Sequence, residues 1–153
     1  GEAGATLVSP FVGRMLDWYN KSTGNEYRSE TDPGVVSVKK IAREFRLRNF
    51  KTQVMAASFR NVHEIIELAG VDLLTISPTL LDQLSKLQEH VKNKIMESAQ
   101  NESTTHISIT RQKFEEDIKQ DKCAFELLAQ GIEKFKADTV ILEELIESIV
   151  KEL

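Results

Sequence analysis

A short polar turn offers the clearest chemistry in the chain. Ser58, Arg60 and Asn61 follow an apolar run, and a helical pattern starts directly after them at Val62. A strand, a turn and a helix in this order bring a hydroxyl, a guanidinium and free backbone N–H groups to one corner. A helix N-terminus attracts anions, and arginine adds a planar fork that binds two anion oxygens. The corner at residues 58–61 therefore suits a phosphate. The alternative is an ordinary helix N-cap beside a solvated arginine.

A second polar turn follows the first apolar run. Residues 5–12 predict a strand buried on both faces, which Pro10 should end because proline cannot donate to the ladder. Ser9 lies near the end of this run and Arg14 just beyond it. The carboxyl ends of parallel strands share one edge of a sheet, where such folds bind their ligands. We therefore expect Arg14 and Arg60 to converge there on a phosphorylated substrate.

The reacting groups of a complete enzyme are not evident. The sequence has no glycine-rich phosphate loop, no Gly-x-Ser-x-Gly elbow and no His–Glu metal motif, so we expect no metal site. A Schiff-base enzyme needs a lysine in an apolar site, yet no predicted strand has one in its interior. Lys51 and Asp72 both stand at N-terminal strand edges, away from the polar corners. The chain can hold a phosphate but lacks the residues that react.

The pattern of elements predicts a parallel α/β fold. Strands at 5–12, 52–57 and 71–76 alternate with helices, and Asp32, Asn61 and Ser77 stand where caps would start the later ones. The short connections indicate a parallel sheet, either doubly wound or closed into a barrel. The helix that starts at Pro33 carries three arginines near its end: Arg43, Arg46 and Arg48. We expect them to form a solvated face rather than a nucleic-acid patch.

The C-terminal half carries a different pattern. Residues 88–109 are polar, and 100–105 predict a loop. Thr110 should start a helix, and residues 124–153 have a helical pattern whose last segment we expect Asp138 to cap.

Bulk properties limit the function classes. The chain has 153 residues and a net charge of −4, which argue for one core of ordinary size and against a nucleic-acid or anionic-membrane partner. Cys123 is the single cysteine, so no intrachain disulfide forms and a reducing compartment is expected. No apolar run approaches the roughly 18 residues of a membrane span. Because Gly1 is not an initiator Met, we interpret the chain as part of a longer protein, whose targeting segment, if any, lies upstream.

Several distinctive sequence motifs in a fixed order resemble those of the transaldolase family. They cover residues 1–85 strongly and 110–138 loosely, and they read TLVSPFVGR at 6–14, DWY at 17–19, DPGV at 32–35, ASFRN at 57–61 and LTISP at 74–78. Two departures stand out. Ala56 replaces a usual glycine, and the stretch 116–120 lacks the family's aromatic and His-Asn residues.

The resemblance implies a (β/α)8 TIM barrel of which this chain is the C-terminal part: about three βα units over 1–87, a loop-rich stretch over 88–109, and C-terminal helices over 110–153. It implies transfer of a dihydroxyacetone unit between sugar phosphates in the pentose phosphate pathway, through a lysine Schiff base and without a cofactor. That lysine and the acid/base Asp and Glu belong to upstream strands. The residues that match substrate-binding positions are Arg14, Ser58 and Arg60 for the phosphate, Ser9 for a substrate hydrogen bond, and Phe11 as a wall beside the lysine.

The same resemblance implies sugar phosphates and the upstream half of the barrel as partners, leaves a homodimer open, and suggests a cytoplasmic enzyme. Two other hypotheses remain. The chain could be a non-catalytic sugar-phosphate-binding remnant of the family, which a start codon at this point would favour. Alternatively, residues 110–153 could make it a helical interaction module, in which case they should fold alone.

Overall fold

A computed structural model describes residues 1–88, 90–95 and 109–151, and the chain divides into two compact units, Gly1–His106 and Ile107–Leu153. The first unit alternates short strands with helices. Its elements are β1 (Leu7–Val8), α1 (Val12–Thr23), a 3-10 turn (Ser29–Thr31), α2 (Pro33–Leu47), β2 (Gln53–Ala56), α3 (Val62–Glu67), β3 (Leu73–Leu74) and α4 (Pro78–Ser85).

The three strands form one parallel sheet in the order β1-β2-β3, as the alternation of elements predicted. Leu7 pairs with Gln53 in the first ladder, and Met55 pairs with Leu73 in the second. Strand β1 is far shorter than the predicted 5–12, and α1 already begins at Val12. The reason is local, because Pro10 has no N–H to continue the ladder.

Side-chain caps start the helices where the sequence predicted them. The Asp32 side chain accepts from two amides at the start of α2, and the Asn61 side chain accepts from Glu64 N–H at the start of α3. Ser77 caps α4 by accepting from Leu80 N–H. Each cap satisfies a donor that the first turn leaves unpaired, and each is worth about 1 kcal/mol.

The core lies between the sheet and its helices. Val54 and Ala56 of β2 are fully buried with apolar residues of the helices, and Ile76 packs partly buried against the same core. Val54 therefore faces the helices and not the opposite side of the sheet. Alternate residues of a strand point to opposite faces, so Gln53 and Met55 take the other face of β2.

The arginines of α2 correct a second expectation. They are half-buried rather than solvated. Arg43 Nε donates to Ile95 O at 3.0 Å, Arg46 donates to Gly70 O, and Arg48 Nε donates to Glu44 Oε1 at 2.5 Å. Their long apolar stems cover the core while their heads satisfy backbone carbonyls and a carboxylate.

The second unit contains two helices, α5 (Arg111–Gln120) and α6 (Lys122–Lys151). Thr110 caps α5 as predicted, through Lys113 N–H. Helix α6 continues for 30 residues. Asp138 therefore lies inside α6 and does not cap a last segment, because nothing there breaks the i to i−4 ladder. Helix α6 exposes many large apolar side chains: Phe125, Leu128, Ile132, Phe135, Val140, Ile141, Leu142, Leu145, Ile146, Ile149 and Val150.

Some expectations concern residues that the structure does not describe. The predicted loop at 100–105 and most of the polar stretch 88–109 lie outside the described ranges, as does the end of the last helical pattern at 152–153. Within residues 1–88, 90–95 and 109–151, no helix is both long enough and apolar enough to cross a membrane.

Candidate functional site

The two polar turns meet at the carboxyl edge of β1 and β2 through backbone hydrogen bonds. Val12 N–H donates to Ala57 O and Gly13 N–H donates to Ser58 O, each at 2.9 Å. In return, Ala57 N–H donates to Pro10 O at 3.1 Å. The first turn of α1 is thereby fixed against the corner at residues 58–61. Ser58 itself is left-handed, with φ of 64°, a conformation that costs a non-glycine residue free energy and that clusters at functional sites.

A glycine allows this contact to be close. A Cβ at Gly13 would lie 2.3 Å from Ser58 O and 2.7 Å from Arg60 Cγ. The backbone of the corner and the stem of Arg60 therefore pass directly over the start of α1.

Arg60 is oriented by a carboxylate that the sequence did not single out as a site residue. Its Nη2 lies 2.7 Å and its Nε 3.0 Å from Asp17 Oδ2, while its Nη1 lies 3.2 Å from Ser58 Oγ. The hydrogen bonds that Arg60 donates to Asp17 raise the pKa of the Arg60 guanidinium above its usual value. The Arg60 side chain is 41% exposed, so the pair adds little stability, and its main effect is to fix the plane of the guanidinium. The sequence feature that could have identified Asp17 is its position in the DWY motif.

Arg14 takes a different partner. Its guanidinium carbon lies 4.6 Å from the centre of the Phe11 ring, in a cation–π arrangement. Both side chains are exposed, and Phe11 pairs through a β-bridge with Ala57. This contact places the aromatic wall and the second arginine at the edge of the sheet that carries the corner.

The five predicted site residues thus occupy one edge. Ser58 contacts Arg60 and Phe11 contacts Arg14, while Ser9 lies half-buried one position beyond β1. The two guanidinium groups have separate partners in this structure. Together these residues bring two cations and a hydroxyl to this edge of the sheet, and such groups suit a phosphate dianion.

Two buried acids lie behind this edge. Asp32 Oδ1 accepts from Gly34 N–H at 2.8 Å and from Val35 N–H at 3.3 Å, while Glu64 Oε2 accepts from Arg60 N–H at 2.6 Å. The sequence predicted Asp32 as a cap but assigned nothing to Glu64, because a glutamate in a first helical turn is usually solvated.

Both acids hold their protons more tightly than usual. Burial, the largest cause, and the neighbouring Asp32 carboxyl raise the pKa of Glu64 to about 7, against the lowering effect of the backbone hydrogen bonds from Arg60 and Asn61. Burial also raises the pKa of Asp32, against the lowering effect of its backbone hydrogen bonds. Loss of solvation disfavours a carboxylate in each case.

Comparisons with known proteins show which sequences this chain resembles. The model of the family described as transaldolase/fructose-6-phosphate aldolase matches residues 1–146. Transaldolase of Kluyveromyces lactis is 51% identical over 154 residues, which are 98% of this chain and 46% of that protein. Transaldolase of Saccharomyces cerevisiae is 51% identical over 152 residues, covering 97% of this chain and 45% of the relative. Transaldolase of Prochlorococcus marinus, strain MIT 9211, is 51% identical over 150 residues, covering 97% of this chain and 44% of the relative. The chain therefore spans about half the length of these relatives.

Proposed function

The chain belongs to the transaldolase/fructose-6-phosphate aldolase family, and on that premise we propose that it forms the C-terminal part of a (β/α)8 transaldolase barrel. Its three parallel strands and the helices between them are the last βα units of that barrel. The barrel transfers a dihydroxyacetone unit from a ketose phosphate to an aldose phosphate. The expected donors are sedoheptulose 7-phosphate and fructose 6-phosphate.

The observation that carries the proposal is the arrangement of Arg60 beside Ser58 at the carboxyl edge of the sheet. Asp17 occupies the Nε and Nη2 side of the guanidinium, and Nη1 points toward the Ser58 hydroxyl. A guanidinium can bind two anion oxygens on each of its edges. The substrate phosphate binds at the Nη1 edge together with Ser58 Oγ, and Arg14 contributes the second positive charge.

The remaining residues of the edge orient the sugar. Ser9 hydrogen-bonds the substrate near the end of β1, and Phe11 forms an apolar wall beside the reacting carbon. Fixing the phosphate at one end of the substrate places the carbonyl at a defined distance, which converts binding energy into positioning.

The lysine that forms the Schiff base comes from outside this chain. The strands of the described part, Leu7–Val8, Gln53–Ala56 and Leu73–Leu74, contain no lysine, and Lys51 precedes β2 at its amino end. The partner of this chain is therefore the upstream half of the same barrel, which supplies the lysine and the acid/base carboxylates. We call the protein made of that upstream half and this chain the complete barrel.

Activity of the complete barrel tests the proposal. The upstream half, expressed together with residues 1–153, should convert fructose 6-phosphate and an aldose phosphate acceptor, and neither half should do so alone. A complex that forms and binds sugar phosphates without turnover would instead support a non-catalytic remnant of the family. A complex that neither binds sugar phosphates nor converts them would contradict both interpretations.

A further inference from the structure

Two buried oxygens at the back of the site have no hydrogen-bond donor. Asp32 is 1% exposed and Glu64 is 0% exposed. One oxygen of each carboxyl accepts backbone N–H groups, and the other oxygens, Asp32 Oδ2 and Glu64 Oε1, are the buried side-chain atoms of the described residues that have no hydrogen-bond partner. A buried carboxylate oxygen without a donor is costly. The cost is greater here because the Asp32 carboxylate also acts directly on Glu64.

A single proton between the two carboxyl groups would give both of these oxygens a hydrogen-bond partner. We propose that Asp32 and Glu64 share one proton between Oδ2 and Oε1, and that this protonated pair is the positioning element that holds the backbone of Arg60 in place for phosphate binding. The proposal rests on the function proposed above, because it gives the Arg60 corner its role. Two carboxyl groups that share a site keep one proton between them, since both cannot ionise at small separation.

The hydrogen bonding of the two acids indicates where the proton resides. The Asp32 carboxylate acts directly on Glu64 and raises its pKa, so the two carboxyl groups lie within interaction range of each other. Asp32 also accepts two backbone N–H groups at the start of α2, which favours its ionised form. Glu64 therefore donates through Oε1 to Asp32 and accepts Arg60 N–H through Oε2.

This arrangement links α2 to the phosphate corner. Asp32 is fixed to the first turn of α2, Glu64 is fixed to Asp32, and the Arg60 amide is fixed to Glu64. At Gly34 the same turn of α2 lies so close to α1 that a Cβ would be 2.3 Å from Val12 O. The position of Arg60 is thus set by the same rigid point that sets the start of α1.

Few charges bear on the pair. The Asp32 carboxylate acts on Glu64 directly, and the Glu64 charge acts on the Arg60 guanidinium. Glu67 of α3 is neutralised by Lys39 Nζ at 2.6 Å. The other titratable groups on the neighbouring elements are not among the causes of either pKa shift. They are Glu30 of the 3-10 turn, His63 of α3, Asp82 of α4, Lys40, Arg43, Glu44 and Arg46 of α2, and Arg14, Asp17 and Lys21 of α1.

Amide variants test the shared proton in the complete barrel. In Glu64→Gln or Asp32→Asn, an amide N–H can stand where the shared proton stood, so each single variant should keep the KM for fructose 6-phosphate within about threefold of wild type at neutral pH. The double variant places two NH2 groups against each other. Its KM should exceed the product of the single effects by about tenfold, a non-additivity expected of directly coupled groups. A double variant that simply combines the single effects would refute the shared proton.

A pH series separates positioning from a merely structural role. Above pH of about 7 the wild-type pair loses its proton and the two carboxylates repel, so KM should rise about tenfold toward about pH 9. The Glu64→Gln variant does not titrate and should show a flat profile over that range. An equal alkaline rise in wild type and Glu64→Gln would overturn the proposal.

An infrared measurement gives a readout independent of activity. Wild type at pH of about 6 should show the carbonyl band of one buried protonated carboxyl that both single amide variants lack.

If Arg60→Ala raises KM but Glu64→Ala does not, the positioning role fails while the phosphate site stands. If Arg60→Ala leaves KM unchanged, the proposed function fails. Should Glu64→Ala not fold, the infrared band and the amide variants decide the matter.

Discussion

Arg60 lies against Asp17, with Nη2 2.7 Å and Nε 3.0 Å from the same carboxylate oxygen. The two residues come from different elements, since Asp17 belongs to α1 and Arg60 to the turn after β2. Because both side chains are substantially exposed, the pair contributes at most about 1 kcal/mol to folding. Its consequence is geometric: the guanidinium is held in one plane, with Nη1 donating to Ser58 O and Ser58 Oγ, each at 3.2 Å.

The first prediction follows from that geometry. In the complete barrel, Arg60→Ala should weaken binding of fructose 6-phosphate by roughly 2–4 kcal/mol, because a charge-assisted pair loses one partner. Binding of unphosphorylated fructose should change far less. Arg111→Ala, which removes an equal charge from the exposed face of α5, is the matched control and should leave both affinities intact. Equal losses for both sugars would make Arg60 a structural residue.

The second prediction concerns the contact between α1 and the corner. Gly13→Ala should destabilise the complete barrel by about 1–3 kcal/mol, because the added methyl group would sit 2.3 Å from Ser58 O, a backbone atom that cannot move freely. Gly131→Ala is the control, since no heavy atom lies within 4 Å of its Cβ position in α6. It should stabilise the protein by about 0.5–1 kcal/mol through helix propensity. Chemical denaturation measures both, and a neutral Gly13→Ala would show that the corner is loosely attached.

The third prediction concerns covalent chemistry. This chain alone should form no Schiff base with fructose 6-phosphate, because none of its described strands carries a lysine in an apolar site where the amine would lose its proton. Borohydride trapping followed by intact mass measurement should show no adduct, whereas the complete barrel should show one on the upstream half. A stoichiometric adduct on a lysine of this chain would reveal a relocated catalytic residue.

The fourth prediction concerns stability and pH. The pKa of Glu64 is raised from its ordinary value of 4.5 to about 7 in the folded protein. Between these values the unfolded chain has released the proton that the folded chain keeps, so a rise in pH favours unfolding. The contribution of Glu64 to the free energy of unfolding is fully present below about pH 4.5 and is lost as the pH rises to about 7. Above that pH the free energy no longer changes through this group.

The expected loss in the free energy of unfolding is at most about 3.5 kcal/mol, since the pKa rises from 4.5 to about 7 and each unit corresponds to about 1.4 kcal/mol. Denaturant titrations of the complete barrel across this window measure it. Glu64→Gln cannot titrate and should lack this part of the slope. Parallel pH curves for wild type and Glu64→Gln would place the raised pKa elsewhere.

The sequence predicted the parts of this fold that depend on local chemistry. Asp32, Asn61 and Ser77 cap their helices because their side chains reach amides only two or three residues away. The parallel order of the strands followed from the short helical connections between them. Ser58 and Arg60 were brought together because they are neighbours in one turn.

What the sequence did not predict depends on packing between distant elements. Glu64 is buried within interaction range of Asp32, which is far away in the chain, and no local pattern shows that. Asp17 approaches Arg60 only after β1 and β2 have paired. Arg46 similarly reaches the carbonyl of Gly70 from another element. Each of these contacts needs the sheet register, which a single strand pattern leaves undetermined.

The last prediction is that residues 1–153 associate when expressed alone. A closed barrel of this class needs about 250 residues, whereas the structure describes three strands. The outer sides of β1 and β3 have no neighbouring strand within the described residues, so they offer rows of backbone groups to other chains. Leu7 and Leu73 of those strands are 39% and 38% exposed.

Helix α6 adds its exposed apolar row to these surfaces, and contiguous apolar surface of this kind drives association. Light scattering should therefore report oligomers of the lone chain, and an apolar dye should bind it. Addition of the upstream half should reduce both signals, because the missing strands pair with β1 and β3 and cover the open face of the sheet. If the lone chain is instead a compact monomer that melts cooperatively, the three-stranded unit is an independent domain and the proposed division of the barrel is wrong.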